Sequence, residues 1–127
     1  MILGVDHIGI RVADAARSEA FYKKLGFEVI ARHDAASVVI VRNPKGVELN
    51  FIVNAEPAYD GTNVLMDEPP KRAGYTHVAL LVGSMRETIR KLVELDIPIS
   101  DGPVQLGGAM SLFIRDPDRN VIELREA

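Results

Sequence analysis

Apolar and polar residues alternate across residues 4–13. Val5, Ile8, Ile10 and Val12 fall mostly on one side, and His7, Gly9 and Arg11 share the other. Successive side chains of a strand point to opposite faces, so this pattern predicts a half-buried strand. The period then changes. Asp14 stands as a helix N-cap, and Ser18, Phe21, Tyr22 and Leu25 follow at i, i+3, i+4 and i+7, one stripe of a short helix. Gly26 sits where such a helix ends. Three strand-like runs come next, at 27–33, 37–42 and 47–53. The last two are separated by Asn43-Pro44-Lys45-Gly46, a turn signal.

Residues 54–73 interrupt this order with Pro57, Gly61, Pro69 and Pro70, and read as a linker. Tyr59 and the Val64-Leu65-Met66 run supply apolar groups within it. The order then restarts. Residues 75–82 form a strand pattern with His77, Ala79 and Leu81 on one face and Val78, Leu80 and Val82 on the other. Ser84 with Glu87 is a capping box, and Met85, Ile89, Leu92 and Val93 give the helical stripe. Strands are predicted at 97–99, 110–115 and 121–125, and Asp116-Pro117-Asp118 takes the place of Asn43-Pro44-Lys45. The chain therefore reads as one βαβββ unit written twice: module 1 at about 1–53, a linker at about 54–73 and module 2 at about 74–127. The expected class is α+β, a single domain whose modules pair into a cupped mixed β-sheet. Few letters agree between the copies (His7/His77, Val12/Val82, Leu25/Leu95), so the repeat rests on pattern.

The repeat also carries chemistry. A His opens each copy, His7 and His77, and a Glu lies in the last strand of each, Glu48 and Glu123. Each His and Glu has the parity opposite to the apolar set that would face the helix, so all four belong to the other face of the sheet. Asn50, Arg11 and Arg125 share that parity. Clustered carboxylates repel and desolvate poorly, and a divalent cation relieves both costs. Imidazole with carboxylate suits Zn, Ni, Co, Mn or Fe(II) and disfavours Ca. Four protein ligands on an octahedral ion would leave two positions for neighbouring substrate oxygens, the geometry of Lewis-acid catalysis, and a liganding Glu that lets go could act as base. Arg11 either binds a substrate carboxylate or neutralises the two Glu. His33 has no counterpart in the second copy and is read as a surface residue. Gly102-Pro103 with Gly107-Gly108 is either a flap over the cup or a plain strand connection.

Composition narrows the partners. A chain of 127 residues with 47% hydrophobic and 26% charged content can bury a core unaided. No cysteine is present, which removes disulfides and thiolate ligands. A net charge of −3 without a basic run argues against nucleic acid and anionic membranes, and no apolar run has the length of a span. The strand-like opening has no signal-peptide pattern, so a cytoplasmic location is expected.

These residues resemble the vicinal oxygen chelate superfamily, which includes glyoxalase I, bleomycin-resistance proteins, fosfomycin-resistance enzymes, methylmalonyl-CoA epimerase and extradiol dioxygenases. Asp-His-Ile-Gly-Ile-Arg-Val with Phe21-Tyr22, Leu25, Gly26 and Phe27 looks like the family's opening. Asp116-Pro117-Asp118 with Asn120-Val121-Ile122-Glu123-Leu124 looks like its closing motif. The family usually has Gly where this chain has Arg119. Within the superfamily the His7, Glu48, His77, Glu123 set is most similar to glyoxalase I (lactoylglutathione lyase) of the bacterial type. Dioxygenases resemble it with two His and one Glu, and drug-binding members generally lack the metal quartet.

The resemblance implies a divalent-metal-dependent lyase or isomerase acting on the hemithioacetal of a 2-oxoaldehyde and a thiol, or a similar small substrate with adjacent oxygens. Glu123, with Glu48 as second choice, would shuttle a proton between neighbouring carbons. His7, His77 and the other Glu would hold the ion. Arg11 matches an arginine that binds the glutathione carboxylate in glyoxalase I, which makes Arg11 and Asn50 the expected substrate-binding residues and glutathione the expected co-substrate. Glyoxalase I tends to have Asn four residues after the second ligand, where this chain has Ile52. The alternatives are an extradiol-type dioxygenase and a non-catalytic, bleomycin-resistance-like binding protein. A homodimer is expected from the family habit.

Overall fold

The computed structural model describes residues 1–56, 62–63 and 65–127. The chain divides into two compact units, Met1–Asp60 and Gly61–Ala127. Each is an α+β unit of the predicted βαβββ order.

In the first unit, β1 (Ile8–Arg11) leads into α1 (Ala15–Lys24), followed by β2 (Glu28–His33), a short 3-10 turn at Asp34–Ala36, β3 (Val38–Arg42) and β4 (Glu48–Ile52). The sheet order is β1-β4-β3-β2, with β1 parallel to β4 and the other pairs antiparallel. α1 begins where predicted, because the Asp14 carboxylate accepts from the Arg17 N–H at 2.8 Å. Its buried stripe is Ser18 and Tyr22. Tyr22 packs on Phe51, Phe27 and Phe21 at centroid distances of 5.0, 6.0 and 5.2 Å. With Ile10, Val12, Val39, Val41 and Leu49 these rings form the core on one face of the sheet. Glu48 and Asn50 alternate with Leu49 and Phe51 and so take the other face.

The second unit repeats this with β5 (His77–Val82), α2 (Met85–Glu94), β6 (Ile99–Leu106), β7 (Ala109–Arg115) and β8 (Val121–Glu126), in sheet order β5-β8-β7-β6. β5 is again parallel to β8. Met85, Leu92, Ile97, Leu112, Ile114, Ile122 and Leu124 fill the core on the helix side. Ser84 caps α2 by accepting from the Glu87 N–H at 3.3 Å, while the Glu87 carboxylate turns to Arg90. A Glu126 oxygen takes the Met85 N–H at 2.7 Å instead.

Several expectations change. Pairing of the first strand covers only Ile8–Arg11, and Val5 is exposed. Val93 is exposed as well, since the helix buries Leu92 and turns the next residue outward. Of the two readings of residues 102–108, the strand connection is the one seen. Gly102 and Pro103 lie inside β6, which runs on to Leu106 before Gly107-Gly108 turn into β7. Gly102 has φ +82, and a Cβ there would lie 2.9 Å from the Ser111 carbonyl, so only glycine fits. Arg119 has φ 66, the left-handed region where a glycine is at ease.

The predicted linker is partly claimed by the second unit. Asp67 accepts from Arg115 Nη1 at 2.7 Å and Nη2 at 2.9 Å, and from Arg119 Nη2 at 3.3 Å. Asn63 donates to the Thr76 carbonyl at 3.0 Å. Tyr59, Val64, Pro57 and Gly61 lie outside the described residues. The Arg115 hydrogen bonds, set against the opposing effect of burial, hold the Asp67 carboxyl well below the usual carboxylate range. A depressed folded value means that the stabilisation is complete above the unfolded value and fades as pH falls through the folded one. Asp67→Asn is therefore expected to lower the unfolding midpoint by a few degrees at pH 7. The gap to wild type should shrink once pH falls below the ordinary aspartate value of 3.8, as read by thermal melts across pH.

Candidate functional site

Each unit brings its own His and Glu together on the face away from the helix. In the first unit, ligand atoms of Asp6, His7 and Glu48 all lie within 4.8 Å of one another. Residues 7, 9 and 11 project alike, and β1 lies beside β4 in register, which carries His7 to the Glu48 end of that strand. His7 Nδ1 donates to Asp6 Oδ2 at 2.7 Å, since a carboxylate can only accept. That fixes the proton on Nδ1 and leaves Nε2 as the ligand atom of the neutral ring. Arg42, opposite Glu48 in the β3–β4 ladder, donates to Glu48 Oε2 from Nε at 3.1 Å and Nη2 at 2.6 Å. The other carboxylate oxygen is then the one available to an ion.

In the second unit, His77 Nε2 lies 2.9 Å from Glu123 Oε2 and donates to it. Thr76 Oγ1 is 2.8 Å from His77 Nδ1. A hydroxyl donates or accepts, so Thr76 supports the ring in either tautomer. An ion taken by Nε2 would require the proton on Nδ1, and Thr76 can receive it in a hydrogen bond. Glu123 is only 7% exposed. Ser111 Oγ, fully buried, donates to Glu123 Oε1 at 2.6 Å, and the Arg125 guanidinium stands 3.8 Å from the same oxygen. Phe113 faces Glu123 across the ladder and packs edge-on against His77 at 5.9 Å. Burial pushes the Glu123 carboxyl up, but the Ser111 and His77 hydrogen bonds and the Arg125 charge outweigh it. Its value therefore lies below that of an ordinary glutamate, and the group is ionised at neutral pH.

The expected substrate residues differ in what they offer. Asn50 Oδ1 is buried without a hydrogen-bond partner among the described residues, a cost that a ligand's donor would remove. Arg11 shares the His7 face, but its Nε donates to Asn54 Oδ1 at 3.0 Å. His33 is exposed at the end of β2, as expected. The sequence reading missed Asp6, Thr76, Arg42 and Ser111 as partners of the four expected ligands. For the first two a signal existed, because a hydrogen-bonding residue directly precedes each His. Arg42 and Ser111 are apparent only once the strand register is known.

The donor set tests well against a divalent cation. Each unit offers imidazole nitrogen and carboxylate oxygen at short range, with the remaining ring nitrogen held by a polar partner, as in known metal centres.

Residues 4–124 match a family model described as the Glyoxalase/Bleomycin resistance protein/Dioxygenase superfamily. Uncharacterized protein YwkD of Bacillus subtilis (strain 168) is 32% identical over 137 residues, covering 99% of this chain and 98% of YwkD. Virulence protein STM3117 of Salmonella typhimurium is 25% identical over 132 residues, covering 96% and 83%. Among solved structures, the genomically encoded fosfomycin resistance protein FosX of Listeria monocytogenes superposes with a TM-score of 0.72 at 19% identity, covering 100% and 95%. A glyoxalase/dioxygenase from Nostoc punctiforme gives 0.66 at 22% identity, covering 97% and 90%. At such identity these structures establish the fold.

Proposed function

Because the chain belongs to the Glyoxalase/Bleomycin resistance protein/Dioxygenase superfamily, we propose that it is a divalent-metal-dependent lyase or isomerase of the glyoxalase type. In this reading His7, Glu48, His77 and Glu123 are the metal ligands. The observation that carries it is the pairing of one His and one Glu in each unit, each His with its second nitrogen engaged by Asp6 or Thr76. When bound, the ion polarises a substrate held through adjacent oxygens.

The chain's own groups do the rest. Glu123 is ionised, largely shielded from water and held at one oxygen by Ser111. It takes a proton from one substrate carbon and returns it to the neighbouring carbon. Arg42 fixes Glu48 by two hydrogen bonds to one oxygen, which suits it to a ligand's role over a mobile base's. Asn50 offers an acceptor to a substrate hydroxyl or amide. Arg11, on the His7 face, is assigned to a thiol co-substrate's carboxylate.

The test combines metal analysis with isomerisation of the hemithioacetal of methylglyoxal and glutathione. Bound metal with turnover and no oxygen uptake is the expected result. Metal without turnover would reject the glyoxalase assignment, and oxygen uptake with a catechol would replace it by a dioxygenase.

A further inference from the structure

We propose that Arg125 is a substrate-recognition residue, so that the preferred substrate carries an oxyanion, a carboxylate or a phosphate, beside its adjacent oxygens. This rests on the metal-site reading above and extends it to substrate class. Arg125 lies two residues beyond Glu123 on β8, so both side chains take the same face of the sheet. Its guanidinium is set in place from two sides. Nη1 donates to Ser111 Oγ at 3.3 Å, and Nη2 donates to the Gly107 carbonyl at 3.2 Å. Gly107 is in the turn between β6 and β7, so the arginine is fixed between the sheet and that turn. The side chain is 30% exposed and reachable from solvent.

The ion pair with Glu123 is one part of this placement, and its charge helps hold that carboxyl low. The guanidinium stops 3.8 Å from Glu123 Oε1, beyond hydrogen-bond range, and the carboxylate oxygens are already engaged by Ser111 and His77. Only two N–H groups of the fork are used among the described residues, which leaves donors for a ligand. The Glu123 carboxylate is the charge that Arg125 faces at 3.8 Å, without a direct hydrogen bond. Arg115, the other arginine of the second unit with that parity, is neutralised by Asp67. A planar cation held by neutral acceptors, with donors to spare, recognises an oxyanion.

The first unit offers no such group at the matching place. There the residue two beyond the Glu is Asn50, opposite Ile40, whereas Arg125 stands opposite Ser111. Arg125 therefore adds an oxyanion contact that the matching position of the first unit lacks.

The experiment measures equilibrium binding to zinc-loaded protein with two matched pairs of probes. 3,4-Dihydroxybutanoate is compared with 1,2-butanediol, and glycerol 3-phosphate with glycerol. Wild type should bind at least one anion about tenfold more tightly than its neutral partner, and Arg125→Gln should abolish the preference while keeping its zinc. The pair that responds identifies carboxylate or phosphate. Equal binding within both pairs, or a preference that survives in Arg125→Gln, would overturn the proposal. Loss of zinc from Arg125→Gln would also overturn it, because the arginine would then serve Glu123. Wild type that takes up no zinc would refute the underlying metal reading, and this inference with it.

Discussion

Glu123→Gln is expected to lower turnover of the hemithioacetal by about 10²–10⁴-fold in metal-saturated protein while the fold survives. Glu123 is buried, so most substitutions there would leave Ser111 and His77 facing an unsuitable group. Glutamine avoids this. Its oxygen can accept from Ser111, and its amide can donate to His77 Nε2 once the ring proton moves to Nδ1, where Thr76 supports it. The unfolding midpoint should therefore stay within a few degrees of wild type. What is lost is the anionic oxygen, to which the proposed function gives the roles of proton acceptor and ligand. Turnover at saturating metal, beside a thermal melt, checks this. Near-normal turnover would transfer the base role to Glu48, whose Arg42 pairing then needs another explanation. Joint loss of turnover and folding would mark Glu123 as a structural residue.

Phe51→Ala should produce the largest stability loss, about 3–5 kcal/mol. Phe51 is fully buried in the middle of the first unit's helix-facing side and packs on Tyr22 at 5.0 Å. Tyr22 in turn touches Phe27 and Phe21, so the cavity would open at the centre of an aromatic cluster whose rings cannot collapse without tilting α1. Proteins of this size are stable by roughly 5–15 kcal/mol, so the variant should populate unfolded chain at modest denaturant. Urea unfolding measures the change. Since β4 carries both Phe51 and Glu48, the loss should also lower metal retention at denaturant concentrations that wild type tolerates. A change below about 1 kcal/mol would contradict the packing described here.

The sequence exposed the order of elements because each local pattern agrees with its tertiary setting. Alternation in β4 is clean, with Leu49 and Phe51 buried and Glu48 and Asn50 turned away. The misjudged features depend on distant parts of the chain. β1 is short because only Ile8–Arg11 pair with β4, opposite Leu49–Ile52. β6 outlasts its prolyl and glycyl breaker signals because it is an outer strand, where a missing N–H costs little. The Asp67 tie to Arg115 spans 48 residues and leaves no local trace. At the site, the His and Glu of each copy were legible from parity alone, since neighbouring strands bring equal parity to one face. Their supporting groups were not, because Arg42 and Ser111 reach the carboxylates through cross-strand register that spacing does not encode.

Metal stoichiometry after zinc loading and dialysis, in wild type and in His7→Ala and His77→Ala, tests the central claim most directly. The four-ligand reading predicts one zinc per chain in wild type and its loss from either variant. Two zinc ions per chain, with each variant keeping one, would make the two His and Glu pairs independent, and no zinc in wild type would remove the metal centre altogether.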